Sequence, residues 1–367
     1  MDITLLQFNG KEFTDFITFV KSMNSRDKTK YSRVAVIHAE EDKLICRALD
    51  DTSNMIEYTV ELYKSDNQIN EYIAASVTDL LALIKSADNE KFTIRKIYNQ
   101  YEFKVIGCGW MPFKTYDIDT SKYIISGNKS DIGNINSVKL RNAISSVLGY
   151  TQDYTYARDK YIQFSKNQMV VTSRLSSVVT SDEFVEMVLH RDDATMLRSL
   201  LKDSFDLNVS RISGAITKIL FSGPKFKFLT TESGIEQSEI KYLDSLKDYV
   251  TVDCSELLKL ATFAEEYSAS KKIIGMSIKN SQLNVSIKNV LAAKHSSTVQ
   301  STSSGSVKDT SGEAEVPSHN LLKVLKLFQD KRSREVNIYI SDEMLNNQNS
   351  IILFDSNTQA IINIYNR

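Results

Sequence analysis

The sequence predicts an α+β protein built from three repeated domains, each with two helices packed on antiparallel sheets. Three observations carry this. A helix-then-strand stretch recurs three times, a helix-then-hairpin stretch recurs three times, and the two alternate along all 367 residues. Self-similarity at a fixed period constrains a fold more strongly than any single local pattern.

The first repeated stretch is SVTDLLALIKSADNEKFTIRKI from Ser76, DDATMLRSLLKDSFDLNVSRI from Asp192 and SHNLLKVLKLFQDKRSREVNIYI from Ser318. Leu81, Leu201 and Leu325 hold equivalent places, 120 and 124 residues apart. The second begins with helices from Lys11, Val138 and Cys254. Each of these helices is followed by two alternating strands around a short polar turn: RVAVIHAEEDKLICRAL, KYIQFSKNQMVVTSRL and IIGMSIKNSQLNVSIKN. Period-two alternation flanking a polar turn is the hairpin signature. A period of about 120 residues is the size of a domain rather than of a solenoid repeat. The expected domains are 1–127, 128–248 and 249–367. The Ser/Thr-rich segment 293–314 reads as a mobile loop holding a short strand at most.

Helical spacing separates buried from outward residues. Leu321, Val324, Leu325 and Phe328 form one apolar stripe, and Lys323 and Lys326 lie opposite it. Leu197, Leu200 and Leu201 form another beside Arg198 and Lys202. Val77, Leu80, Leu81 and Ile84 form a third beside Lys85, opened by Ser76 as N-cap with Asp79 as its capping-box partner. Phe13, Phe16, Ile17 and Val20 end beside Lys21, Leu140, Ile144 and Val147 are flanked by Lys139 and Arg141, and Leu257, Leu260, Ala261 and Ala264 face away from Lys259. Six helices thus carry outward cations in equivalent positions. For one helix this is ordinary solvation, and outward acids such as Asp15, Asp79, Asp203, Glu265 and Glu266 accompany them. The recurrence is what suggests a shared basic face. Net charge is −1, from 45 basic and 46 acidic residues, so such a face requires sorting of charge between surfaces.

Composition excludes other classes. With 42% hydrophobic and 25% charged residues the chain is globular, and no apolar run nears the roughly 20 residues that span a bilayer. MDITLLQFNGKEF does not read as a secretion leader, and three scattered cysteines, Cys46, Cys108 and Cys254, are expected to be buried free thiols in a reducing, cytoplasmic setting. His38, His190, His295 and His319 have no metal-ligand spacing, and no phosphate loop, nucleophile elbow or zinc-protease motif occurs. The acidic pairs Glu40-Glu41, Asp192-Asp193 and Glu265-Glu266 read as caps and solvated charge. The expectation is no enzymatic activity, no metal and no cofactor.

The order of elements, the length and the stretches SQLNVSIKN, TQDYTY and QAIINIYNR resemble the bacterial replicative sliding clamp, the beta subunit of DNA polymerase III. The resemblance is that of a divergent, phage-encoded type of member, and covers essentially the whole chain. The resemblance implies the DNA-clamp fold and a head-to-tail homodimeric ring around duplex DNA, held without sequence preference. It implies DNA contacts at Lys21, Arg26, Lys28, Arg141, Gln152, Tyr156, Arg198, Lys202, Lys259, Lys271, Lys323 and Lys326. Tyr154 and Tyr156 read equally as strand aromatics. It further implies a pocket for peptides of polymerase and clamp loader at Arg174, Leu175, Ile240, Tyr242, Ile362, Ile364 and Tyr365. There the family's Gly-His-Arg-Leu-like turn shrinks to Ser173-Arg174-Leu175, and its Met-Pro becomes Ile364-Tyr365. Trp110 and Phe113 on one edge, with Phe263 and Tyr267 near the other, are the implied ring-closing contacts, and Trp110 fits a core equally well. The alternative is a clamp-fold scaffold that binds replication or transcription proteins without encircling DNA.

Overall fold

A computed structural model describes residues 4–23, 34–50, 54–65, 71–87, 90–149, 161–166, 168–172, 176–180, 183–234, 246, 248–290, 295–299, 307–310, 313–330, 332–341, 350–356 and 358–363. Its six α-helices are α1 (Gly10–Met23), α2 (Val77–Ile84), α3 (Ser137–Val147), α4 (Arg191–Leu200), α5 (Cys254–Tyr267) and α6 (Ser318–Asp330). Among the described residues one order of elements runs three times: strand, helix, four strands, helix, three strands. The three series open at the strands Thr4–Asn9, Asn128–Asn136 and Val250–Asp253.

Local chemistry explains why each helix starts where it does. A helix leaves its first backbone N–H groups without internal partners, and a side-chain oxygen just before it supplies one. Asn9 Oδ1 accepts from Glu12 N at 3.1 Å, Asn136 Oδ1 from Val138 N at 3.1 Å, and Asp253 Oδ1 from Ser255 N at 2.8 Å. These three caps hold the same place in the three series. Ser76 caps α2, accepting from Asp79 N at 3.3 Å. On α4 the imidazole of His190 takes the role, with Nδ1 accepting from Asp192 N at 3.2 Å. The expected apolar stripes are buried: Phe13, Phe16, Ile17 and Val20 of α1 and Leu321, Val324, Leu325 and Phe328 of α6 are all fully enclosed.

The chain divides into two compact units, Met1–Lys139 with Met196–Glu232, and Leu140–Thr195 with Ser233–Arg367. The first holds a 12-stranded antiparallel sheet and the second an 8-stranded and a 4-stranded sheet. In the first unit, strand Met55–Ser65 pairs with Phe226–Thr231, joining the first series of elements to the second. In the second unit, strand Ser176–Thr180 pairs with Thr358–Asn363, joining the second series to the third. Each junction joins the third strand after a first helix, counted within its series, to the last strand of the following series. The hairpin expected at Ile273–Asn289 turns at Asn280 and Ser281, with φ of 53° and 60°; two left-handed residues match the twist of the flanking strands.

Among the described residues of the segment 293–314, His295–Val299 is a short strand paired with Gln282–Val290, and Ala314 opens the strand Ala314–Pro317. The cysteine expectation needs correction. Cys46 and Cys254 are buried free thiols, but Cys108 is exposed. It sits between Gly107 and Gly109, whose φ values of 74° and 77° close a tight turn and turn the side chain outward. No helix among the described residues is long and apolar enough to cross a membrane.

Candidate nucleic-acid interface

The outward helix faces were the expected DNA surface, and the two units differ in how those faces are charged. In the first unit, α1 presents Lys11, Thr18, Lys21 and Ser22 to solvent. A cavity of about 740 Å³ opens beside it, with Glu12, Asp15, Tyr58, Lys202, Asp203 and Lys225 on its walls. Its charges are paired. Lys202 Nζ lies 3.4 Å from Asp15 Oδ1, and Lys225 is bonded to Glu12, which also accepts from Glu61 N at 2.8 Å. Glu12 holds the Lys225 ammonium above its ordinary value. Burial, then the carboxylates Asp15, Glu12 and Asp203, push the Tyr58 phenol up to about 12, so it remains a neutral donor. Below this face, Glu57 accepts from Arg47 Nε at 2.8 Å and from Lys227 Nζ at 2.6 Å across the strand junction. Burial raises the Glu57 carboxyl, but these two cations outweigh it and hold it below its usual range.

In the second unit, α5 exposes Lys259, and α6 exposes Lys326 and His319, with Lys323 half-buried between them. Glu265 on α5 is bonded to the Ser318 hydroxyl and lies 3.1 Å from Lys272 Nζ. Burial works against its charged form, yet the hydroxyl and the ammonium hold it below the usual carboxylate range. Lys326 is exposed on the same helix, with Asp330 one turn further on.

Of the other expected DNA contacts, Arg141 on α3 and Arg198 on α4 are half-buried, and Lys271 lies in strand Ser268–Lys279. Arg26, Lys28, Gln152 and Tyr156 lie outside the described residues. So do Arg174, Leu175, Ile240, Tyr242, Ile364 and Tyr365 of the expected pocket. Ile362 is fully buried in strand Thr358–Asn363, opposite Ser176 on one side and Ile351 on the other.

Two strand edges are set apart by the pairing pattern. Gly109–Phe113 ends the 12-stranded sheet and His295–Val299 ends the 4-stranded one. On the first edge Trp110 is half-buried under the Arg95 guanidinium, 4.1 Å from its ring centre, Phe113 is buried beside Tyr101, and Met111 is exposed. On the other side of the expected contact, Phe263 sits half-buried on α5 and Tyr267 ends that helix. The sequence reading allowed a short strand in 293–314 but did not mark His295–Val299 as a sheet edge, because its polar Ser-Ser-Thr run has no hydrophobic alternation. It also missed the acid–base pairing around α1, which joins residues nearly two hundred positions apart.

No protein-family model matches the chain, and no curated protein matches it by sequence. Solved structures do match over full length. A DNA polymerase sliding clamp from Bacillus subtilis superposes with a TM-score of 0.77 at 11% identity, covering 100% of both chains. A putative DNA polymerase III beta subunit from Eubacterium rectale gives 0.76 at 15%, covering 99% of this chain and 100% of that one. A Helicobacter pylori beta clamp bound to a DNA ligase peptide gives 0.74 at 11%, again over 99% and 100%. The fold of this chain is that of the bacterial DNA polymerase III beta sliding clamps.

Proposed function

We propose that the chain is a sliding clamp: a non-enzymatic ring of two copies that encircles duplex DNA and tethers a polymerase and other clients to it. The observation that carries this reading is the pattern of strand junctions. The third strand after a first helix pairs with the last strand of the next series twice within the chain. The same rule leaves one strand of each kind over, His295–Val299 and Gly109–Phe113, and both are sheet edges. Two copies placed head to tail bring each leftover edge to the other's, which closes a ring. On this reading the three series are three domains, 1–127, 128–248 and 249–367, and the cations of all six helices line the hole.

Such a surface binds phosphates without reading bases, so the ring slides, and topology holds it in place. Lys21, Lys259, Lys323 and Lys326 are the contacts best supported, because they stand on outward helix faces. The Helicobacter pylori likeness, captured with a DNA ligase peptide, supports a peptide-binding role for this chain. The ring works where duplex DNA is replicated, in the cytoplasm of a bacterium or of a phage-infected cell.

The charge-compensated wall around α1 favours a second reading, a clamp-fold scaffold that binds partners without surrounding DNA. Sedimentation separates the two. The ring reading expects a species of twice the 41.6 kDa chain mass at micromolar concentration, and a persistent monomer favours the scaffold.

A further inference from the structure

Four residues of α6 outside the buried stripe share one face, the last of them the exposed acid Asp330 at the helix end. His319, Lys323 and Lys326 follow i, i+4, i+7 spacing, on the side of the helix opposite Leu321, Val324, Leu325 and Phe328. We infer that His319 is a further contact for the phosphodiester backbone of duplex DNA, idle when neutral and engaged when protonated, so that the hold on DNA is proton-linked. The inference rests on the clamp reading.

The surroundings of the imidazole determine its behaviour. Lys323 stands one turn along its own helix, Glu265 reaches it from α5, and Lys272 from strand Ser268–Lys279. Of the other strands packed on α6, Ala314–Pro317 carries Glu315 and Thr358–Asn363 carries no charged residue. Partial burial, then Lys323, depress the imidazole below its ordinary value, against the pull of Glu265. Glu265 already holds the Ser318 hydroxyl and the Lys272 ammonium, so it is a poor sole partner for an imidazolium. A phosphate arriving beside Lys323 and Lys326 supplies the missing negative charge and favours the protonated ring. Linkage then requires the reverse: lowering the pH below the ordinary histidine value strengthens DNA binding.

Each added phosphate contact steepens the log–log dependence of affinity on salt by about 0.9. Binding of the full-length protein to a short linear duplex, measured over a salt series at about pH 8 and about pH 5.5, reads this directly. The wild-type slope is expected to steepen by about 0.9 at the lower pH. His319→Gln should abolish the change, and His319→Lys should give the steep slope at both pH values. A wild-type slope equal at both pH values, or a His319→Gln slope that still steepens, overturns the inference while leaving the clamp reading intact. Absence of any DNA binding at either pH removes both.

Discussion

Removing the charge of Glu57 should loosen the junction between the first two series of elements more than any other single polar change in the first unit. Glu57 lies on strand Met55–Ser65, directly across from Arg47 on one neighbouring strand and Lys227 on the other. Its side chain is 9% exposed, that of Arg47 14% and that of Lys227 50%. Glu57→Gln keeps the shape but leaves both cations without their counter-charge. A buried charge stranded in this way costs about 3–5 kcal/mol, whereas an exposed pair is worth about 0.2–1 kcal/mol. Arg47 lies near the first limit and Lys227, screened by solvent, near the second. The sum is a loss of about 3 kcal/mol, with Arg47 the larger share. A chain with two compact units does not unfold in one step, so the fitting assay is native-state hydrogen exchange on strands Met55–Ser65 and Phe226–Thr231. Exchange there should accelerate about a hundredfold, since each 1.4 kcal/mol or so is a factor of ten.

The pH dependence follows the same group. Its folded value is depressed, so its contribution is complete above the ordinary carboxylate value of 4.5 and is lost as pH falls through the folded value. Glu57→Gln should lack that acid-side loss. Exchange rates within about threefold of wild type at neutral pH would refute the reasoning, because they would mean that solvent already screens both cations.

Three further outcomes follow from the geometry. Ser76→Ala removes the α2 cap and should destabilise that helix by about 1 kcal/mol, read as faster exchange confined to its first turn. Lys326→Ala should lower the salt slope of DNA binding by about 0.9, whereas Lys202→Ala should lower it less, because Asp15 already compensates Lys202. Met111→Asp places a charge on the exposed edge of the 12-stranded sheet and should raise the dimer dissociation constant about tenfold or more, measured by sedimentation.

The sequence made the helices legible because their cause is local. The stripe Leu321, Val324, Leu325 and Phe328 and the caps at Ser76 and Asp253 act within a single turn, and α5 starts at Cys254 as expected. The hairpins were legible for the same reason: alternation and a polar turn lie within a dozen residues. The ion pairs were not. Glu12 meets Lys225, and Glu57 meets Lys227, only because two distant strands pair, and nothing near either residue signals its partner. Of the outward lysines counted in the first unit, Lys202 proves to be paired, with Asp15. Nor did the sequence mark His319 as part of a cationic face. Its i+4 and i+7 relation to Lys323 and Lys326 was visible, but only the helix boundary at Ser318 and the engaged Glu265 give that spacing a meaning.

The claim that two copies close around duplex DNA is tested most directly by topology. Protein loaded onto a nicked circular duplex should stay bound through a high-salt wash and should leave when one restriction cut makes the circle linear. Equal loss from intact circles and from linear fragments would contradict the account.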